Sequence, residues 1–399
     1  MLHNKVFKTN NLLFNSITQK SLPLNASVEI LRDNLFLENQ VMDAVKAKLI
    51  SMPKTLKCEI ITTWECNLRC SHCCVMKYLK KKDPDELNIE KLVVFFNEYL
   101  KKFDSVDGIG LSFIGGESFL RSNKILECIN VTNEITKKYK KASNFSATTN
   151  LSYDLDLEKI EIFEKLTQIN ISIDGLEKEH NQQRYAFSDK SINPFQKTIK
   201  NLSKLISLGF RDKINIQAAL KSDLTDDFEY LVDFSEYLTK IGVIYEKIHV
   251  GSIFPTESRK SPEPSYVNYK KNHVSMHTMP CCKYRMMSNF MICPDGKIYD
   301  NFYKQEDSLV GTLDDSIDEI YEKNMRLILD EMPALNDPTC IKCPAIGYCW
   351  GGCIAGHVYI GNKPSYHCSK EKLVPFIEKL ANDNNLIDFN KNHYLKNLL

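Results

Sequence analysis

Cys66, Cys70 and Cys73 stand at Cys-x3-Cys-x2-Cys spacing in one short run. Thiolates are the usual ligands of iron–sulfur clusters. Three of them on one loop can hold three irons of a 4Fe–4S cube and leave the fourth iron with no protein ligand. An iron left open in that way is a reaction site rather than an electron relay. The plainer alternative is a zinc knuckle, which wants a fourth thiolate or imidazole at close spacing. His72 and Cys74 are nearby, but adjacent residues rarely point at the same ion.

Other chemistry-bearing residues lie further along. Gly115 and Gly116 precede Glu117; glycines let backbone approach a ligand closely, and a glutamate accepts hydrogen bonds from an ammonium group. Ser172 and Asp174 are short polar residues that suit ribose hydroxyls, and Arg184 carries a guanidinium that can grip a carboxylate bidentately. A later set, Cys340, Cys343, Cys349 and Cys353, reads Cys-x2-Cys-x5-Cys-x3-Cys and is followed by Cys368.

These residues must be positioned by regular elements. Strand patterns fall at 56–62, 108–114, 144–149, 168–173, 213–220 and 245–250, and helix-period segments at 87–103, 123–139, 157–166, 194–208 and 226–241. In the first helical segment Leu92, Phe95, Phe96, Tyr99 and Leu100 recur at steps of three and four. Strands joined by crossover helices imply a parallel sheet. In such folds the working loops follow the C-terminal ends of strands, and the cysteine triplet follows the first strand directly.

The spacing of elements divides the chain into a cap or peptide-recognition segment at 1–55, an α/β portion at 56–250, a linker at 251–279, a Cys-rich portion at 280–375 and a helical tail at 376–399. The cap reads as a strand, a polar turn and a second strand over 11–24, then a helix near 38–49. Its hairpin either covers a sheet edge or recognises a peptide by strand addition. Few long periodic runs occur between 279 and 370.

Composition narrows the class. Net charge is +1, from 52 basic and 51 acidic residues, so nothing steers the chain toward nucleic acid or a membrane surface. There is no run of the ~18 apolar residues that a membrane helix needs, and no secretion signal, so the expected location is the cytoplasm. Of 14 cysteines, five lie between Cys58 and Cys74 and eight between Cys281 and Cys368. Such clusters in a large chain without an export signal read as metal sites rather than disulfides. Cys58, Cys74 and Cys128 read as buried small hydrophobes.

The triplet, together with the motifs at Glu117, Asp174 and Arg184, resembles the radical SAM superfamily. The resemblance covers roughly residues 56–370 and implies a partial (β/α)6 TIM-like barrel. It implies a 4Fe–4S cluster on Cys66, Cys70 and Cys73 whose open iron chelates S-adenosylmethionine. Gly115, Gly116 and Glu117 would hold the methionine amine, Ser172 and Asp174 the ribose, and Arg184 the carboxylate. Asn150 occupies a Thr-Asn position after which relatives usually carry Gly; here Leu151 follows. His72 sits where relatives place an aromatic residue near the adenine.

The late cysteines resemble the SPASM domain, with Cys282 and Gly296 fitting its first half. That resemblance implies one or two auxiliary 4Fe–4S clusters. One would use Cys340, Cys343, Cys349 and Cys368. The other would use Cys282, Cys353 and a third cysteine at a place where this chain has Asn301. Cys293 is favoured as the substitute donor, with Cys281, Asp300, an open site or a smaller cluster as alternatives.

The layout implies a maturase of ribosomally made peptides, forming a carbon–carbon (cyclophane) or thioether crosslink. Its partners would be a precursor peptide and a flavodoxin- or ferredoxin-type electron donor. The alternatives are an anaerobic sulfatase-maturing enzyme and, in another class, a non-catalytic iron–sulfur or zinc protein. Sulfatase-maturing relatives carry Asp where Phe302 stands here.

Overall fold

The computed structural model describes residues 6–8, 12–15, 20–23, 25–34, 37, 40, 54–73, 75–187, 191–225, 227–252, 289–300, 308–331 and 337–343. The chain forms two compact units, one of residues 1–55, 275–289 and 318–399, the other of 56–274 and 290–317. Among the described residues no helix is long and apolar enough to cross a membrane.

In the first unit, β1 (Val6–Lys8), β2 (Leu12–Asn15) and β3 (Lys20–Pro23) make a small antiparallel sheet. The sequence shows the second and third of these; the first adds a strand to the hairpin. A short helix, α1 (Val28–Asp33), follows, started by the Ser27 side chain accepting from the Ile30 amide. Apart from Gln40, and Gly251 and Ser252, which end a strand, the helix expected near 38–49, the linker and the C-terminal tail lie outside the described residues.

The second unit holds β4 (Thr55–Ile61), β5 (Leu68–Cys70), β6 (Gly108–Ile114), β7 (Ala142–Thr149), β8 (Gln168–Ser172), β9 (Arg184–Ala186), β10 (Ile214–Leu220) and β11 (Ile248–Ser252). A hairpin and a third strand follow as β12 (Asn289–Ile292), β13 (Lys297–Tyr299) and β14 (Leu309–Thr312). Nine strands form one sheet in the order β11-β10-β8-β7-β6-β4-β12-β13-β14. The pairs β6–β7, β7–β8, β8–β10 and β10–β11 are parallel. Strands β4, β6, β7, β8, β10 and β11 thus line up in chain order, as a partial barrel requires, and the sheet stays open. The hairpin pairs β12–β13 and β13–β14 are antiparallel.

The crossover helices are α2 (Ile89–Lys102), α3 (Ser122–Tyr139), α4 (Leu157–Lys165), α5 (Glu177–Gln183), α6 (Pro194–Ser207), α7 (Ser222–Thr225) and α8 (Phe228–Ile241). Their starts are written in the sequence: Asn88, Asp156, Asn193 and Asp227 each accept a hydrogen bond from an amide of the first turn. The apolar stripe of α2, Leu92, Phe95, Phe96, Tyr99 and Leu100, is buried. Three of the elements were hidden in the sequence. Helix α9 (Ile317–Glu331) turns Ile317, Ile320 and Asn324 inward, and the buried asparagine interrupts the apolar pattern. Strands β5 and β9 are three residues each and, among the described residues, pair only with one another.

Candidate active site

The chain from Thr62 to Cys73 leaves the end of β4 and is fastened on three sides. On the first, the Gly116 amide donates to the Thr63 carbonyl at 3.1 Å and the Glu117 amide to the Glu65 carbonyl at 2.7 Å. A Cβ on Gly116 would stand 2.0 Å from that Glu65 oxygen. The glycine is therefore demanded by the approach of two protein loops, a reason different from the ligand approach read from sequence.

On the second side, Asn67 Nδ2 donates to the Ser152 carbonyl at 2.6 Å. Asn150 Nδ2 donates to Asn67 Oδ1 at 2.8 Å and lies 3.9 Å from Cys66 Sγ. The Thr-Asn turn that presents Asn150 continues into Leu151 at φ 53°. Glycine would adopt that left-handed conformation freely; leucine bears the strain and is fully buried.

On the third side, β5 and β9 run antiparallel with Cys70 opposite Arg184. The ladder is extended by the Ser71 amide to the Gln183 carbonyl and the Phe187 amide to the Asn67 carbonyl, both at 2.9 Å. The Arg69 guanidinium lies 3.7 Å from the Phe187 ring centroid and donates to the carbonyls of Cys66 and Leu68 at 2.9 and 2.8 Å.

A charged cluster sits against this ladder. Asp174 is fully buried just beyond β8 and accepts from Arg184 Nε at 2.5 Å, Arg184 Nη2 at 3.3 Å and the Ala219 amide at 2.8 Å. His72 Nε2 is 3.3 Å from Asp174 and 3.5 Å from Arg184 Nη2, while Arg184 Nη1 donates to Cys70 Sγ at 3.6 Å. Burial opposes the Arg184 charge, yet Asp174 and the Cys70 sulfur beside it raise its pKa. Burial lowers the pKa of His72 against the pull of Asp174. The Arg184 fork is thus spent on Asp174, leaving its Nη1 edge beside Cys70 for a further anion. The His72 ring nitrogen faces the same charges.

Glu117 is buried at the end of β6 and accepts from the Asn150 amide at 2.7 Å, Thr149 Oγ1 at 2.8 Å and the Phe119 amide at 3.3 Å. Burial pushes its pKa up to about 7 against these donors. Burial, reinforced by Glu117, pushes the Cys66 thiol to about 12; burial raises Cys70 to about 11 while Arg184 pulls the other way. Cys66, Cys70 and Cys73 share the loop that is fastened on these three sides. Metal binding there must displace their protons. Ser172, at the end of β8, is also buried.

Three neighbours of this cluster belong to no motif in the sequence. His180 Nδ1 accepts from the Asp174 amide at 3.2 Å, which places the proton of the neutral ring on Nε2. Burial, with Arg184 nearby, lowers its pKa to about 4. Tyr230 Oη accepts from the Leu176 amide at 3.0 Å and donates to Glu179 at 3.2 Å. A Cβ on Gly175, at φ 93°, would meet that hydroxyl at 2.2 Å. Gln183 is buried and its amide has no hydrogen-bond partner among the described residues. Only His180, six positions after Asp174, could have been suspected from spacing.

Of the late cysteines, Cys340 and Cys343 belong to one turn at the end of α10 (Pro338–Lys342), whose first amides are capped by Asp337. Cys293 is fully buried in an apolar cluster with Ile61, Trp64, Val75, Met291 and Tyr299, against which Cys73 packs. Cys281, Cys282, Asn301, Phe302, Cys349, Cys353 and Cys368 lie outside the described residues. Among the described residues no three His, Cys, Asp or Glu side chains converge on a single-ion site. A four-iron cube spreads its thiolates over separate irons, and the enclosed triplet with its polar neighbours fits such a group.

The model of the Radical SAM superfamily matches residues 60–235. Protein YfkA of Bacillus subtilis (strain 168) is 28% identical over 160 residues, 38% of this chain; the match spans 40% of that relative's length. The fold is shared with "Native anSMEcpe with bound AdoMet and Cp18Cys peptide" at TM-score 0.60 and 16% identity, over 85% of this chain and 99% of that one. It is shared likewise with "Native anSMEcpe with bound AdoMet" at TM-score 0.58 and 15% identity, over 84% of this chain and 100% of the other.

Proposed function

We propose, from the premise that this chain belongs to the radical SAM superfamily through residues 60–235, that it cleaves S-adenosylmethionine reductively and directs the resulting radical at a peptide. The observation that carries the reading is the assembly of Cys66, Cys70, Glu117, Asn150, Asp174 and Arg184 at the ends of neighbouring strands. A 4Fe–4S cluster, when bound, supplies the electron and an iron with a free coordination site.

Cys66, Cys70 and Cys73 would hold that cluster. Glu117 would accept the methionine amine; its Oε2 takes one backbone donor, the Asn150 amide, and a carboxylate oxygen has room for a second. The Nη1 edge of Arg184 would meet the methionine carboxylate, with Asp174 fixing the plane of the guanidinium. Ser172 would contact the ribose from the end of β8, and Asp174 would serve it through the charges it orders. His72 is proposed at the rim, stacking or donating toward the adenosyl group. Tyr230 and His180 hold the 174–176 turn that presents these groups.

The late cysteines support one auxiliary 4Fe–4S cluster on Cys340, Cys343, Cys349 and Cys368. A second would rest on Cys282, Cys353 and a third donor. Cys281 is preferred to Cys293 there, because Cys293 is enclosed by apolar side chains. These SPASM-type clusters would take the electron released when a substrate radical closes to a crosslink in a ribosomally made peptide. A flavodoxin- or ferredoxin-type protein would supply the first electron. The N-terminal sheet β1–β3 is the proposed leader-binding surface, by strand addition.

A second reading, oxidation of a Cys or Ser side chain to formylglycine, is supported by the fold shared with the anSMEcpe structures, one of which holds a peptide. Anaerobic reconstitution tests the common part. About twelve irons per chain, falling to about eight in the Cys66/Cys70/Cys73 variant, is expected for three clusters; about eight falling to four means a single auxiliary cluster. Deoxyadenosine that persists in the variant overturns the reading. Co-expression with short reading frames beside the gene separates the two products. A crosslinked peptide loses hydrogens and gains no aldehyde, whereas formylglycine reacts with hydroxylamine.

A further inference from the structure

A set of charged residues behind the cysteine triplet takes no part in the chemistry above. The Asp83 side chain is fully buried. Its Oδ2 accepts from the Trp64 amide at 2.8 Å and its Oδ1 from Lys80 Nζ at 2.8 Å. Lys80 also reaches Asp85 at 2.8 Å, and its amide donates to the Trp64 carbonyl at 2.9 Å. The Asp83 amide donates to Glu65 Oε1 at 2.9 Å, and Arg121 Nη2 donates to the same oxygen at 2.7 Å.

Arg121 closes the short turn that begins at Ser118, directly after Glu117. Glu65 is one residue ahead of Cys66. It is bonded to the Gly-Gly-Glu loop twice, through its carbonyl to the Glu117 amide at 2.7 Å and through its carboxylate to Arg121. The close approach at Gly116 leaves no slack between the two loops.

We propose that Asp83, Glu65 and Arg121 are positioning residues that set the spacing between Glu117 and the cysteine loop, and through it the affinity for S-adenosylmethionine. This rests on the reading of Glu117 as the amine acceptor. A ligand held at two points needs those points at a fixed separation, and residues that lock the holders matter as much as the holders. The network suits that task better than a surface pair would. Exposed ion pairs contribute little, but this one is built on a buried carboxylate bonded to main-chain amides. Burial opposes the ionised form of Asp83, yet Lys80 and the Trp64 and Asp85 amides hold its pKa below the ordinary carboxylate value.

The test uses anaerobically reconstituted full-length protein. Arg121→Gln, Arg121→Lys and Asp83→Asn are compared with Lys240→Gln, which removes the exposed Lys240–Glu236 pair. Iron per chain, the Kd of S-adenosylmethionine by equilibrium dialysis, and the change in the reduced cluster's EPR signal on adding it are measured. Arg121→Gln and Asp83→Asn should keep wild-type iron while their Kd rises about tenfold and the EPR change shrinks. Arg121→Lys should return toward wild type, and Lys240→Gln should not move.

Wild-type Kd in both Arg121→Gln and Asp83→Asn at full iron content overturns the proposal. So does loss of iron in step with affinity, which would make the network a cluster-retention device. Failure of iron-loaded wild type to bind S-adenosylmethionine would instead sink the site assignment itself, and this proposal with it.

Discussion

The molecule contains two Cys-x2-Cys turns of the same local design and different surroundings. In both, the second cysteine's amide donates to the first one's carbonyl, at 3.1 Å for Cys73 to Cys70 and 3.0 Å for Cys343 to Cys340. Asp337 shapes the later turn from within a few residues, accepting from the Thr339 and Cys340 amides at 2.7 and 3.1 Å. Arg184 and the β9 ladder press on Cys70, and Asn150 lies on Cys66, from 114 and 84 positions away. The turn itself is cheap to encode. What distinguishes the earlier turn is the set of polar and charged groups that the fold brings to it.

Breaking the assembled turn should have the largest effect. Cys70→Ala is expected to abolish deoxyadenosine formation and to lower iron by about four per chain; assay by chromatography and iron analysis decides it. Next comes Arg184→Ala, which leaves Asp174 in the interior without its guanidinium partner, held by the Ala219 amide and beside His72. Removing one partner of a buried pair costs about 3–5 kcal/mol, read as a shift in urea unfolding, together with weaker S-adenosylmethionine binding. An unchanged dissociation constant would reassign Arg184 to a purely structural role.

Acid titration sharpens the comparison further. Folded His180 stays neutral down to about pH 4, whereas its ordinary pKa is 6.5. The unfolded chain therefore takes up that proton first. Stability from this group is complete above pH 6.5 and is lost as pH falls toward 4. Glu117 acts with the opposite sign. Its folded pKa of about 7 exceeds the ordinary 4.5, so the native state gains stability as pH falls between those values. His180→Asn should lose less stability than wild type between pH 6.5 and 4.5, measured by urea unfolding at each pH. Parallel curves would remove His180 from the acid response.

The smallest effect is expected at the later turn. Asp337→Ala removes a helix cap worth about 1 kcal/mol and should leave S-adenosylmethionine cleavage at the wild-type rate. A lost cleavage activity in that variant would erase the contrast between the two turns.

Much of this was legible in the chain. The helix starts at Asn88, Asp156, Asn193 and Asp227 are local side-chain-to-amide bonds, and the stripe on α2 follows from helical period. The motif at Glu117 is readable because it ends a strand. Other features were not legible. Strands β5 and β9 show no alternation, since each exists only through the other. Asn324 disguised α9 by placing a polar side chain on its buried face. Asp83 looks in sequence like part of an ordinary solvated charge run at 80–86, and its partners Glu65 and Arg121 stand 18 and 38 positions away from it.

The sequence by itself determined the spacing of the cysteines, the helix starts and the alternating strands and helices of the α/β portion, because residue spacing, capping and hydrophobic period are local properties. Tertiary structure alone decided that Arg184 is paired with Asp174 over Cys70, that Gly116 makes room for Glu65, and that Cys293 packs within an apolar cluster. Those outcomes depend on which strand ends become neighbours in the sheet, and on burial, which gives each charge its strength.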